Sequence, residues 1–125
     1  MKSALVLSED SRLFETAREV ITRLGGTSVE DVAQMDGPDG FLLTAFRVHD
    51  PGDYVGEEPF VLAEGAVDAP DMAHVHAADI ECRSEALFVD VGRSIAAAAR
   101  HPVWVLDGNS VLWPADRLDP ATIVL

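Results

Sequence analysis

The sequence predicts an α+β fold in which a mainly antiparallel sheet carries two amphipathic helices on one face. Two segments have apolar residues at helical spacing, and short apolar runs separated by turn residues fill the rest of the chain. In order, the elements read βαβββ and again βαβββ, which raises the possibility of a weak internal repeat. A chain of 125 residues has the length of one ordinary domain, so we expect residues 1–125 to form a single domain.

The first helix is predicted from the segment "SRLFETAREVITRLGG" (11–26). Its apolar residues form one stripe, made of Leu13, Phe14, Ala17, Val20, Ile21 and Leu24. Three residues can cap its start, namely Ser8, Asp10 and Ser11. Gly25 or Gly26 can end it, because glycine tolerates the left-handed conformation that follows many helices.

The second helix is predicted from "SEALFVDVGRSIAAAARHP" (84–102). One face collects the apolar residues Leu87, Phe88, Val91, Ile95 and Ala98. Ser84 is the expected N-cap, and His101 with Pro102 ends the helix. Four successive alanines indicate close packing with little side-chain volume. The apolar stripes of the two helices can be aligned with each other, which is the basis for the possible repeat.

The remaining apolar runs predict eight strands. In chain order they are "ALVL", "TSVEDVAQM", "FLLTAFRVH", "PFVLAE", "HVHAADIEC", "PVWVL", "SVLWP" and "ATIVL". The turn "DGNS" predicts a hairpin that places Leu106 opposite Val111 and Trp104 opposite Trp113. Several strands have apolar residues on both sides, whereas two helices cover only one face of a sheet. We therefore expect the other face to be covered by a partner, a second subunit or a bend in the sheet.

The charge of the chain excludes some classes of partner. Its 22 acidic and 9 basic residues give a net charge of −13. Such a field repels phosphate backbones, and no cluster of arginine or lysine offsets it, so we expect no nucleic-acid binding. The apolar runs are too short to span a bilayer, so we expect no membrane partner. The acidic surface suits solubility, and it would also attract a basic protein.

The compartment is predicted from the cysteine count and the N-terminus. A single cysteine, Cys82, allows no internal disulfide, and the first ten residues lack the pattern of a signal peptide. Both observations favour the cytoplasm. One lysine against eight arginines, together with abundant alanine, is typical of a GC-rich bacterial genome.

The segment "HVH" (74–76) suggests a divalent metal site. On a strand, His74 and His76 would point to the same side, and a third ligand could come from Asp71, Glu64, His49 or Asp50. Nothing in the spacing requires these residues to converge, and the chain contains no HExxH, CxxC or EF-hand motif. The alternative interpretation is an ordinary pair of structural or surface histidines.

The paired βαβββ layout is similar to that of the vicinal oxygen chelate superfamily, which includes glyoxalases and bleomycin-binding proteins. In that family, metal ligands come from the first and last strands of each module. The resemblance implies His74 or His76 as a ligand from the second module and Glu64 as a ligand from the first. The opening strand "KSALVL" and the closing strand "ATIVL" contain no histidine or glutamate. The resemblance therefore implies a pocket-forming binding protein rather than a complete metalloenzyme.

No catalytic residue can be named from the sequence. Cys82 stands just before the second helix, where backbone N–H groups can lower a thiol pKa, but a small packed cysteine is the simpler interpretation. The chain has no G-x-S-x-G, no S-x-x-K and no phosphate-binding loop. Carboxylates are too numerous for any pair to indicate acid–base catalysis. The sequence favours a non-catalytic protein over an enzyme.

The leading hypothesis is a non-catalytic protein-binding module, such as a small acidic inhibitor or immunity-type protein for a basic partner. Candidate contacts lie in the acidic loop 49–59 and at the tryptophans, which either fill the core or form exposed binding residues. These candidates are Asp50, Asp53, Tyr54, Glu57, Glu58, Trp104 and Trp113. The alternatives are a small-molecule or metal-binding protein and a structural homodimer, and we expect the chain to form homodimers.

Overall fold

A computed structural model describes residues 2–52, 59–66 and 68–125 of the chain. This part contains two helices and eight strands, and a short 3₁₀ turn follows the last strand. The elements are β1 (Ser3–Ser8), α1 (Leu13–Arg23), β2 (Thr27–Val29), β3 (Val32–Asp36), β4 (Leu42–Val48), β5 (Val61–Leu62), β6 (His76–Cys82), α2 (Glu85–Ala98), β7 (Val103–Leu106), β8 (Val111–Pro114) and the 3₁₀ turn (Ala115–Arg117).

All eight strands belong to one sheet with the order β2-β3-β4-β6-β1-β7-β8-β5. Every pairing is antiparallel except that of β5 with β8 at one edge. The strand that precedes each helix lies at the centre, where β1 pairs with β6. β1 also pairs with β7, and β6 also pairs with β4. The two halves of the chain therefore interleave within one sheet, and the predicted α+β class is confirmed.

Both helices pack on the same face of the sheet. Their buried residues join the inward residues of the central strands in one cluster, the helix-side core. The sheet contributes Val6, Leu43, Ala45, Ala78, Ile80, Val103 and Val105 to this cluster, among others. The predicted stripe of α1 is buried from Leu13 to Ile21, whereas Leu24 lies beyond the helix end and is 50% exposed.

The opposite face is covered in part by the chain itself. A second cluster, the loop-side core, places Leu7, Trp104 and Leu112 beneath Phe60 and Met72, which come from the long connection between β4 and β6. Covering one end of this face buries Trp104 to 6% exposure. The sheet faces therefore differ. Helices pack on one, and on the other the loop-side core extends from β8 to Val48 and Ala77 at the facing ends of β4 and β6.

The ends of the helices follow the expected chemistry. The Ser84 hydroxyl accepts the N–H of Leu87 at 3.2 Å and caps α2 as predicted. At α1, Asp10 accepts the N–H of Arg12 at 2.9 Å, just ahead of the helix. Gly25 follows α1 with a φ of +99°, a conformation that glycine adopts without a steric penalty.

Two predicted strands differ from the structure. The run 27–35 is a hairpin of β2 and β3 rather than one strand, because the chain reverses at Glu30, which has a φ of +50°. The final run 121–125 is not a strand. It crosses the turn after β7, where the N–H of Gly108 donates to the Val124 carbonyl at 2.7 Å. With only two strands after α2, the second half does not repeat the first, and the predicted internal repeat is not confirmed.

The β7–β8 hairpin has a register one residue away from the prediction. Leu106 lies opposite Leu112, and Val105 lies opposite Trp113. The cause is Ser110, whose φ of +59° adds a bulge residue to the turn. Because a one-residue slip reverses the faces of a strand, Trp104 and Trp113 lie on opposite sides of the sheet.

A pair of glycine variants tests the packing between α1 and the β2–β3 hairpin. A Cβ on Gly26 would clash with the Gln34 carbonyl oxygen and lie 2.9 Å from that of Ile21, whereas a Cβ on Gly52 meets no atom of the described residues within 4 Å. We expect Gly26→Ala to lower the free energy of unfolding by about 1–3 kcal/mol. Gly52→Ala is the control and should change it by less than about 0.5 kcal/mol. Urea unfolding of both variants measures the difference, and equal stabilities would contradict this packing.

Candidate functional site

Beside the loop-side core, the same face of the sheet carries a row of residues in direct register. Along the row, Val29 pairs with Val32, Val32 with Phe46, Phe46 with Asp79, and Asp79 with Leu5, which packs against the loop-side core. These residues alternate with those of the helix-side core, so they point away from the helices. We call them the open-face row. One carboxylate, Asp79, stands between Phe46 and Leu5 in an otherwise apolar line.

The open-face row presents apolar surface to solvent. Val29 is 73% exposed, and Leu42, on the same side of β4, is 51% exposed. Val32 and Phe46 are half-buried and belong to neither core. Contiguous apolar surface of this kind, bordered by polar residues, is typical of interaction sites.

Asp79 is the most unusual group on this surface. Burial against its apolar neighbours raises the pKa of its carboxyl group, the charge of Glu81 raises it further, and the Ser3 side chain opposes the rise. Glu81 stands two residues along β6 and points to the same face. No described residue forms an ion pair with either carboxylate. The open face therefore carries two adjacent acids and lacks a neutralising cation in the described part of the chain.

The predicted partner contacts are distributed as follows. Asp53, Tyr54, Glu57 and Glu58 lie outside the described residues. Asp50 is exposed at the start of the same connection.

The two tryptophans are internal to different degrees. Trp104 is buried in the loop-side core. Trp113 is half-buried against the helix-side core, and its Nε1–H donates to Asp107 Oδ2 at 2.8 Å. Both side chains thus contribute to packing. Their predicted role as partner contacts stays a prediction.

The three predicted metal ligands lie apart. His74 precedes β6, so strand alternation does not align it with His76, and its Nδ1 lies 2.7 Å from Asp71 Oδ2. Glu64 follows β5 at the sheet edge, with β8, β7 and β1 between it and β6. Four strand spacings amount to about 19 Å, too far for a shared ion. The described residues contain no group of three or more His, Cys, Asp or Glu that could hold a metal ion.

A charged network joins α1, the β2–β3 turn and β4 on the helix side. Arg47 donates to Glu15 Oε1 at 2.8 Å and to Asp31 Oδ1 at 2.9 Å, and its guanidinium lies 4.6 Å from the centre of the Phe14 ring. His49 Nε2 lies 2.8 Å from Asp31 Oδ2. The hydrogen bond from Arg47 is the main cause that holds the pKa of Glu15 below its ordinary value.

Two further features bear on chemistry. The Cys82 side chain is buried, and burial raises the pKa of its thiol, so the group is suited to packing rather than nucleophilic attack. A cavity of about 360 Å³ lies near the end of α2, where Trp104, Pro114 and Arg117 are among its lining residues. It includes neither His74 nor His76, so it does not support a pocket built around "HVH".

Sequence reasoning did not single out Asp79 or Arg47. The sequence did contain a signal for Asp79. It is an acidic residue within a strand whose neighbouring residues, Ala78 and Ile80, are apolar and point into the core. Arg47 offered no such signal, since its partners come from residues 15 and 31 and meet it only in the folded chain.

No family model, no curated protein and no solved structure matches this chain. Among the described residues, no helix has the length and apolar character needed to cross a membrane.

Replacing Arg47 tests the charged network. Arg47→Met would leave Glu15 without its cation, and one oxygen of that carboxylate, Oε2, is already buried without a hydrogen bond in the described residues. We expect a loss of about 2 kcal/mol in the free energy of unfolding. Lys2→Met is the matched control, because the Lys2–Glu85 pair is exposed and should contribute less than about 1 kcal/mol. Equal losses in urea unfolding would contradict the proposed importance of the network.

Proposed function

We propose that this protein is a non-catalytic binding module that docks a basic protein on the open face of its sheet. The observation that carries the proposal is the position of Asp79 within the open-face row, between Phe46 and Leu5, with Glu81 beside it. Aliphatic and aromatic surface supplies apolar contact, and the two carboxylates select for lysine or arginine. A partner with a cation projecting from an apolar patch would complement both properties.

The energetics of Asp79 favour this interpretation. In the unbound protein, a half-buried carboxylate with a second acid beside it opposes folding, which is why its pKa is raised. An arginine or lysine delivered by a partner would neutralise that charge. Groups that destabilise the free protein but assist binding are common at functional sites.

The overall charge supports capture of such a partner. A net charge of −13 produces a field that accelerates association with a basic protein and weakens as salt is added. A small acidic protein of this kind would act as an inhibitor or immunity-type protein if its partner's basic surface is the surface that the partner needs for activity.

The same charges disfavour a homodimer through this face. In a two-fold dimer, the same patch meets itself, so the acids of one copy would approach those of the other. The cost of that repulsion argues against self-association through the open face. Binding of a second copy of the chain would therefore contradict the proposal.

The binding proposal is tested by capture with matched variants. Tagged wild type, the double variant Asp79→Asn/Glu81→Gln and the control Glu19→Gln are incubated with lysate of the source organism at low salt. Glu19 lies exposed on α1, on the opposite side of the sheet. We expect a basic protein that the wild type and the control capture, that salt elutes, and that the double variant retains at least tenfold less.

Three outcomes would contradict the proposal. They are equal capture by all three proteins, capture that resists high salt, and a light-scattering mass showing that wild type binds only itself.

The stability of the free protein gives a second test. The folded state holds a proton on Asp79 more tightly than the unfolded state does, so ionisation of Asp79 opposes folding. This penalty is absent well below the ordinary carboxyl pKa of 3.8 and develops as pH rises through the higher folded value. We expect Asp79→Asn to raise Tm at pH 7 and to lose that advantage near pH 3.

The control for this test is Asp90→Asn, which removes the same charge from the exposed side of α2. It measures how much Tm rises when any one negative charge is removed from a protein with a net charge of −13. If Asp79→Asn raises Tm no more than Asp90→Asn does, the claim that ionised Asp79 destabilises the folded protein is wrong.

A further inference from the structure

The fold brings together two histidines that are far apart in the sequence. The pairing of β4 with β6 ends with Val48 opposite Ala77, and His49 and His76 are the next residues beyond that pair. His76 is the first residue of β6 and has the strand parity of the helix-side core. His49 follows β4, and its contact with Asp31, which also bonds Arg47, places it on the same side of the sheet.

The two histidines line one cavity. It has a volume of about 170 Å³, and Ser11, Phe14 and Arg47 also contribute to its wall. The cavity lies beside the start of α1, where β4 ends and β6 begins. It is separate from the open-face row, which lies on the other side of the sheet.

The orientation of His49 matches that of a metal-binding imidazole. Its Nε2 lies 2.8 Å from Asp31 Oδ2, which leaves Nδ1 as the nitrogen with a lone pair to offer. Metal-binding histidines usually donate their other ring N–H to a carboxylate, which fixes the ring and raises its basicity. Asp31 is itself held by Arg47 at 2.9 Å.

The charged groups beside the cavity balance in number. Arg47 is bonded to the carboxylates of Glu15 and Asp31, and the charge of Arg12 also acts on Glu15. Glu15 Oε2 is buried and has no hydrogen-bond partner among the described residues. The choice of a metal cation therefore rests on the two imidazole rings, whose nitrogens are common metal ligands.

From this geometry we propose that His49 and His76 form a binding site for a divalent first-row transition ion of the type that imidazole prefers, such as Zn²⁺, Ni²⁺ or Cu²⁺. Because the protein supplies two nitrogens, the remaining coordination positions are open to water or to a donor group from a ligand. His76 is thus assigned a partner on the neighbouring strand, His49, instead of His74.

The experiment is a titration with ZnCl2 followed by calorimetry, with histidine NMR as the second readout. Wild type is compared with His49→Ala, His76→Ala, His74→Ala and His101→Ala, after circular dichroism has shown that each variant is folded. We expect His49→Ala and His76→Ala each to weaken Zn²⁺ binding at least tenfold, whereas His74→Ala and His101→Ala leave it unchanged. Zn²⁺ should shift the ring nitrogens of His49 and His76 alone.

His74→Ala is the decisive control, because His74 also contacts a carboxylate, Asp71, but has no histidine across the sheet. Binding that depends on His74 as much as on His76 would assign the ion to "HVH" and overturn the proposal. Absence of saturable Zn²⁺ binding would overturn it as well. Asp31→Asn is a further test. It removes the carboxylate that contacts His49 Nε2, and it should weaken Zn²⁺ binding about tenfold.

Discussion

The rest of the structure depends on the pairing of β1 with β6 at the centre of the sheet. Val6 and Leu7 are adjacent in β1 and fully buried, yet they point to opposite faces. A central strand that is apolar on both sides requires both faces to be covered. The helices pack on one face. On the other, Phe60 and Met72 pack on the loop-side core, and the open-face row lies beside that core in the described part of the chain.

The two proposed sites use the same pair of strands on opposite faces. Along β4, Phe46 points to the open face and Arg47 points to the helices. Along β6, Asp79 and Glu81 lie on the open face, whereas His76 lies on the helix side. Because both sites are built on the same pair of strands, a change in the spacing of β4 and β6 would alter the geometry of each site. The Arg47 network holds this pair to α1 and to the β2–β3 turn.

The sequence was sufficient for features that depend on local spacing. The helices, most of their buried stripes and the Ser84 cap follow from periodicity and from residue chemistry at the helix ends. Leu24 and Ala98, the last residue of each predicted stripe, are exposed instead. The sequence was insufficient where a single backbone angle or a contact between distant residues determines the strand register or the neighbours of a side chain. Ser110 in the left-handed region shifts the β7–β8 register by one residue, which places the tryptophans on opposite faces. Asp107 supports that turn by accepting the N–H groups of Asn109 and Val111, a role that composition does not reveal.

For the same reason, the predicted site was only partly informative. "HVH" drew attention to His76, but strand order, not sequence proximity, determines its neighbours. Glu64 follows an edge strand, while His49 continues the strand directly beside β6. Asp79 was overlooked because alternation in one strand gives no information on which face is left uncovered. That depends on where the connection between β4 and β6 runs.

The central position of β1 also affects the order in which the protein can assemble. Its neighbours in the sheet are residues 76–82 and 103–106, so β1 has no partner until these later segments have been made. Until then, an apolar strand with unsatisfied backbone groups remains exposed in the nascent chain. Non-local pairing of this kind slows folding and prolongs the period in which aggregation competes with it. The high negative charge of the chain would keep such incomplete molecules apart while the final strands are made.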